Sequence, residues 1–130
     1  MKKVIATSQA PAAIGPYSQA NVHNGVIYVS GQLPLDPTTG KLITGDIGEQ
    51  TTQVLNNIKA IVEEAGSNMG NILKCTVLLK DIGNFAKMNE AYAKFFTENP
   101  PARIAYQVCA MPLGAEVEID AICAVYSRLI

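Results

Sequence analysis

The chain has 130 residues and a formal net charge of -1, with 10 Lys and Arg against 11 Asp and Glu. It is long enough for one domain with its own core, and we predict a single domain over residues 1–130. The charge balance lacks the basic excess with which nucleic-acid-binding proteins neutralise phosphates, so nucleic acid is not an expected partner. Charged residues make up only 16% of the chain, against about 25% in an average domain, which indicates a homo-oligomer that hides part of its surface.

The chain has no apolar stretch near the roughly 20 residues of a membrane span, and Lys2-Lys3 is not followed by the apolar region of a signal peptide. We therefore expect a cytoplasmic protein that does not bind membranes. Cys75, Cys109 and Cys123 lie in apolar runs without C-x-x-C spacing, and we predict buried free thiols. His23 is the only histidine, so the sequence offers neither a zinc site nor a serine-histidine-aspartate triad.

The first third of the chain has the pattern of strands and turns. We predict a short edge strand over residues 3–6. Two further strands, over residues 18–22 and 26–30, are joined by Asn24-Gly25, a dipeptide that favours a tight hairpin turn. The stretch from residue 31 to residue 45 is rich in proline and glycine and is predicted to be a loop.

A long amphipathic helix follows this loop. Asp46 and Glu49 have the spacing of a capping box, which predicts a helix start at this point. Apolar residues recur at three- and four-residue spacing up to Ala65, and Gly66 is predicted to end the helix. One face of this helix is therefore available for packing.

A strand and a second helix come next. The segment 72–80 alternates in the manner of a strand, with Leu73 and Cys75 on the same face, and its other face is also partly apolar. Apolar residues from Phe85 to Phe96 mark a second amphipathic helix. This helix must end before Pro100-Pro101, because proline restricts the residue before it and lacks a backbone donor.

Two strands, over residues 103–109 and 116–126, complete the order β-β-β-α-β-α-β-β. We predict an α+β fold in which two helices pack on one face of a mixed sheet and a partner subunit covers the other face. A tight hairpin centred on Leu113 would place Arg103 beside Ile122 and about 13 Å from Glu118. Whether Arg103 and Glu118 meet in another register or across two subunits stays open.

The residue types of this last region suggest a small binding pocket. The planar guanidinium of Arg103 matches a carboxylate with two parallel hydrogen bonds, and Glu118 is the nearby group able to carry a proton. The ordinary alternatives are a strand-end Arg103 paired with a surface carboxylate, and a Glu118 that shares a solvated strand face with Glu116 and Asp120.

Several short stretches spread over the chain form a recognisable set. They are residues 10–19 (APAAIGPYSQ), 30–34 (SGQLP), 53–58 (QVLNNI), Ala65-Gly66, Phe85 with Asn89, residues 101–103 (PAR) and residues 117–119 (VEI). In this order and spacing the chain resembles the RidA/YjgF family of reactive-intermediate (enamine/imine) deaminases. The resemblance implies a chorismate-mutase-like fold and a homotrimer with sites in the clefts between subunits. It also implies hydrolysis of 2-iminobutanoate and 2-iminopropanoate to 2-keto acids and ammonia, without a metal or organic cofactor.

The resemblance also implies roles for six positions. Arg103 would bind the substrate carboxylate, Glu118 would orient the attacking water, and the Tyr17 hydroxyl would hydrogen-bond the substrate or that water. The substrate-binding positions would be Gly31, Asn89 and Ala105, with Gly31 and Ala105 acting through their backbones. Ala105 stands where relatives often have cysteine, so no thiol acts at this position. Residues 109–112 replace a stretch that usually carries an arginine.

One alternative function uses the same cleft. A non-catalytic keto-acid-binding or regulatory protein would bind its ligand at Arg103 without turnover. Chorismate mutase chemistry would need several cations in each cleft, and a ribonuclease would need interleaved basic and aromatic residues. The sequence offers neither, so these two functions are not predicted.

Overall fold

The computed structural model describes residues 1–125. Its strands are β1 (Lys3–Ile5), β2 (Ala20–His23), β3 (Val26–Gln32), β4 (Ile72–Leu79), β5 (Ala102–Gln107) and β6 (Val117–Ala124), and its helices are α1 (Ile47–Glu64) and α2 (Phe85–Ala93). The predicted order of strands and helices is confirmed. The predicted end of the last strand at Tyr126 lies outside the described residues. None of the described helices combines the length and hydropathy that crossing a bilayer would need.

The six strands form one mixed sheet in the order β1-β2-β3-β6-β4-β5. The pair β4–β5 is parallel and every other pair is antiparallel. A hairpin centred on Leu113 does not form, because β4 lies between β5 and β6. Parallel neighbours require a crossover connection, and α2 supplies the one between β4 and β5. Local turn signals around Leu113 do not reveal that the strand after the turn pairs elsewhere.

Both ends of α1 form as the sequence predicts. The backbone N–H of Glu49 donates to Asp46 Oδ1 at 2.9 Å, and the backbone N–H of Asp46 donates to Glu49 Oε1 at 3.2 Å, which completes the capping box. At the other end Gly66 has φ 90°. The N–H of Ser67 donates to the carbonyl of Val62 at 2.9 Å, so the helix ends in a Schellman motif.

The sheet has one buried face and one open face. Along β6, Val117, Ile119, Ala121 and Cys123 are at most 1% exposed and pack in the core beneath the helices. Alternate residues point the other way, and the open face carries the half-exposed side chains of Tyr28, Ile104 and Tyr106. The predicted apolar character of the second sheet face is therefore present.

Three local predictions need correction. A register shift between Ile72 and Lys74 leaves Leu73 51% exposed instead of sharing the face of Cys75, because an extra residue in a strand reverses the alternation. Cys109 is exposed rather than buried, since it follows the end of the edge strand β5. The second helix ends at Ala93, although Phe96 still packs in the core.

The first hairpin agrees with the prediction in its turn, and differs at its strand ends. Asn24 and Gly25 have φ values of 50° and 75°, the left-handed conformation that a type I′ turn needs at both central residues. β2 begins two residues later than predicted, and β3 continues to Gln32, into the predicted loop. His23 is exposed beside this turn.

Candidate functional site

Three of the six predicted site residues line one cleft. Tyr17, Gly31 and Glu118 lie around a cavity of about 490 Å³ where β3 and β6 meet, next to the segments that precede β2 and β6. Tyr17 is 49% exposed at the cleft. We call Tyr17, Gly31 and Glu118 the acid half-site.

The position of Glu118 depends on an irregularity in β3. Between Val29 and Gln32 the β3 strand uses three residues where β6 uses two, from Ala121 to Ile119. Gly31 lies in this bulge, and a side chain added there would overlap Glu118 Oε2. Gly31 therefore serves the close approach of the Glu118 carboxylate rather than a turn.

The surroundings of Glu118 favour its protonated form. Burial, followed by the nearby carboxylate of Asp120, raises the pKa of Glu118 above its ordinary value. Asp120 itself accepts a hydrogen bond from the backbone N–H of Thr76 at 3.0 Å. A carboxyl group with a raised pKa can both release and take up a proton nearer to neutral pH, which suits general acid–base chemistry.

Two buried amides hold the walls of this cleft. Gln19, which is 5% exposed, accepts the N–H of Thr7 at Oε1 and donates from Nε2 to the carbonyl of Pro11 at 2.8 Å. Asn57, 1% exposed, donates from Nδ2 to the carbonyls of Leu33 and Leu35 at 3.2 and 3.0 Å. Sequence reasoning assigned neither residue a role, since an amide in a helix or at a strand start gives no sign that a distant loop needs its hydrogen bonds.

Arg103 lies elsewhere, on the edge strand β5. Its guanidinium carbon is 4.9 Å from the ring centroid of Tyr92 and 5.4 Å from that of Phe85, and Nη1 donates to Asn89 Oδ1 at 2.7 Å. These contacts fix the guanidinium while leaving most of its five donors unused. Within residues 1–125 the one ion pair joins Lys80 and Glu116, so the pairing of Arg103 with a surface carboxylate is absent there.

The backbone beside Arg103 is also available. The N–H of Val108 donates to the carbonyl of Leu79 on β4 at 3.0 Å. Since alternate residues of a strand direct their N–H groups to opposite sides, the N–H groups of Arg103 and Ala105 point to the free edge of the sheet. We call Arg103, Ala105 and Asn89 the arginine half-site.

The two half-sites face away from each other in one chain. Arg103 is paired with Cys75 and Glu118 with Leu78 on the intervening strand β4. Cys75 and Leu78 are an odd number of residues apart, so their partners lie on opposite faces of the sheet, with α carbons about 14 Å apart. The question left open by the sequence is answered for a single chain: Arg103 and Glu118 do not converge within it.

No three His, Cys, Asp or Glu side chains among residues 1–125 group closely enough to hold a metal ion.

Comparison with known proteins gives the family. A family model described as Endoribonuclease L-PSP matches residues 7–125. A RutC family protein of Pyrococcus horikoshii is 52% identical over 122 residues, which cover 94% of this chain and 97% of that protein. A 2-iminobutanoate/2-iminopropanoate deaminase of Bos taurus is 49% identical over 122 residues, covering 94% and 89% of the two chains.

Solved structures agree with this result. A protein of the conserved Rid family from Yersinia pestis, YyfA, has a TM-score of 0.94 and 47% identity, with 96% of this chain and 100% of that chain covered. TdcF of E. coli, solved with bound serine, has a TM-score of 0.90 and 41% identity over 96% and 99% of the two chains. Two helices on a six-stranded mixed sheet thus define a protein of the Rid fold. The chain belongs to the RidA/YjgF family, and both the predicted family and the predicted fold class are confirmed.

Proposed function

We propose that this protein hydrolyses reactive 2-imino acids, namely 2-iminobutanoate and the 2-iminopropanoate that arises from 2-aminoacrylate, to 2-keto acids and ammonia. The observation that carries the proposal is the pair of half-sites, one with an arginine free of carboxylate partners within residues 1–125 and one with a carboxyl group of raised pKa. The name of the Bos taurus relative supports this substrate class. The proposal includes a cytoplasmic location, which the free cysteines favour.

The site we propose is formed by two subunits. Arg103 and Glu118 lie on opposite faces of one chain, so a small acid cannot touch both unless a second copy supplies one of them. The edge strand β5 of one copy would approach the open sheet face of the next, where Tyr28 and Tyr106 are exposed. Cyclic repetition of such a contact closes a ring. We propose a homotrimer, with the number three taken from the family resemblance.

The proposed chemistry begins with orientation. Arg103 binds the substrate carboxylate through two parallel hydrogen bonds, and the free backbone N–H of Ala105 lies beside it at the same sheet edge. Asn89 accepts from Arg103 at Oδ1 and so holds the guanidinium, while the Nδ2 donors of Asn89 can hydrogen-bond the substrate. The substrate C2 is thereby held over the acid half-site of the neighbouring subunit.

Glu118 then carries the protons. It accepts a proton from a water molecule as the water oxygen bonds to C2 of the protonated imine and the C=N π electrons move to nitrogen, which gives a neutral carbinolamine. The protonated Glu118 gives that proton to the amino nitrogen, and the C–N bond then breaks and ammonia leaves. The C2 carbonyl forms as the hydroxyl proton passes to the Glu118 carboxylate, which releases it to the departing ammonia or to water. The Tyr17 hydroxyl is placed to hydrogen-bond the water or the substrate. No step in this sequence uses a metal or an organic cofactor.

A test generates 2-aminoacrylate enzymatically in the presence of semicarbazide and measures how much imine the protein diverts to pyruvate. We expect diversion by the wild type and its loss in Arg103→Ala, with Lys59→Ala as a control that removes an exposed cation from α1. Equal activity in Arg103→Ala would refute the assigned role. Binding of 2-oxobutanoate that needs Arg103, without hydrolysis by the wild type, would instead favour the non-catalytic keto-acid-binding protein.

The family description also names an endoribonuclease. The net charge of -1 gives no support for phosphate binding, and we do not include ribonuclease activity in the proposal.

A further inference from the structure

One residue at the mouth of the cleft has an unfavourable backbone conformation. Leu113 lies in the short turn Pro112–Gly114, with φ 59° and ψ 12°. Its side chain lines the cleft that holds Glu118, and it is 62% exposed. Glycine or asparagine adopts this left-handed conformation at a lower energetic cost than leucine.

Packing within one chain does not explain a leucine at this position. The side chain has no polar group that could compensate the backbone, and most of its surface remains in contact with water. Strained residues that persist are found most often at ligand sites, where the strain has a use. Contact between the Leu113 side chain and a bound ligand would account for the leucine at this position.

The surroundings of Leu113 in the cleft are largely apolar. Ile14, which is 77% exposed, and Leu33 and Pro112 line the same cavity. The Gln19 amide is occupied by the loop that precedes β2, as described above. Ser30 and Gln32 also line the cavity, but Ser30 Oγ donates to the carbonyl of Ser18 and Gln32 Nε2 donates to the carbonyl of Ser30. Beyond Glu118 and the Tyr17 hydroxyl, the cleft thus offers a ligand mostly apolar contacts.

The cavity is also large for an acid with a short side chain. Its volume of about 490 Å³ is within the range of roughly 300 to 1,000 Å³ that is usual for drug-sized ligands. Ile14 and Leu113 are the exposed large aliphatic side chains of this cavity, so they present the most apolar surface for a longer or branched ligand side chain to cover.

We propose that Leu113 and Ile14 form an aliphatic side-chain subsite, which selects 2-imino acids with branched or longer side chains over those with two carbons. This inference rests on the proposed function, because it assigns the side-chain preference of the same site. Leu113 is its specificity-determining residue.

The test compares two imines generated by an amino-acid oxidase, 2-imino-4-methylpentanoate and 2-iminobutanoate. An aliphatic subsite that gains two carbon atoms of contact predicts a kcat/KM ratio of about ten or more in favour of the longer substrate. Leu113→Asn, which tolerates the left-handed conformation, should reduce this ratio to near one while the melting temperature stays unchanged or rises. Ile82→Asn removes another exposed aliphatic side chain outside the cleft and should leave the ratio as in the wild type.

Calorimetric binding of 4-methyl-2-oxopentanoate and 2-oxobutanoate gives the same comparison without turnover. If the wild type hydrolyses neither imine, the proposed function fails. The ratio of the dissociation constants of the two keto acids then decides whether the aliphatic subsite exists. A preference that survives in Leu113→Asn, or a wild type without preference, would overturn the inference. Dissociation of the oligomer by Leu113→Asn in sedimentation would also overturn it, since Leu113 would then be an interface residue.

Discussion

Arg103 and Glu118 point away from each other in one chain, and this geometry makes a quantitative prediction for mixed oligomers. Arg103→Ala and Glu118→Gln should each be inactive alone, because every site lacks one of its two groups. Their α carbons are about 14 Å apart on opposite sheet faces, too far for one small acid to reach both. When the two inactive variants share one oligomer, a site forms wherever an intact Arg103 meets the intact Glu118 of its neighbour.

The magnitude follows from random assembly in a closed ring. With equal amounts of the two variants, about a quarter of the sites combine an intact arginine with an intact glutamate, so about a quarter of wild-type activity should return. If both groups acted within one chain, no activity would return. The matched control mixes wild type with the double variant: the two-subunit site again gives about a quarter, whereas a one-chain site gives about half.

The assay coexpresses the two variants in equal amounts, purifies all oligomers together, and confirms by native mass spectrometry that homo-oligomers and mixed oligomers are present in random proportion. Imine hydrolysis is then compared with that of each variant alone and of the wild type. The two-subunit site would be refuted by two results together. The mixture of Arg103→Ala and Glu118→Gln would show no activity, and the mixture of wild type and double variant would show half of the wild-type activity.

Three further predictions follow from individual contacts. Asn89→Asp would place a carboxylate against Arg103, and this carboxylate would compete with the substrate carboxylate. The KM should therefore rise at least about tenfold, with little change in melting temperature. An unchanged KM in steady-state kinetics would contradict this prediction. In Gly31→Ala the added methyl group would displace the Glu118 carboxylate. We expect kcat to fall about 100-fold or more, while the circular dichroism spectrum remains that of the wild type. Full activity would show that catalysis does not need the close approach of Glu118 to Gly31. Because the pKa of Glu118 is raised in the folded protein, its contribution to stability is lost as pH rises through that pKa. Glu118→Gln should therefore gain melting temperature relative to the wild type as pH rises above about 4, the ordinary pKa of a glutamate. A difference that stays constant with pH would argue against the raised pKa.

Local sequence patterns were sufficient for most of the fold. The capping box at Asp46, the Schellman end at Gly66 and the turn at Asn24-Gly25 are decided by residues within a few positions of each other, so the sequence specifies them directly. Alternation and helical spacing likewise gave the order of strands and helices. They gave the apolar second face of the sheet as well, because burial follows the period of each element.

The candidate site depended on more distant partners. The residue types of Arg103 and Glu118, together with the family resemblance, named both positions, and the structure then separated them. Neither the exposure of Leu73 nor that of Cys109 followed from the apolar runs around them, because a bulge and a sheet edge are decided by neighbouring strands. The hydrogen bonds of Gln19 and Asn57 also depend on loop residues that lie eight or more positions away in the chain.

The sequence by itself determined the elements, their caps and the residue types available for chemistry, because these depend on contacts between residues close in the chain. Only the tertiary structure decided that β4 lies between β5 and β6, and hence that Arg103 and Glu118 lie on opposite faces. Strand pairing is chosen by the packing of the whole sheet and by the crossover through α2, and no local pattern around either residue encodes that choice.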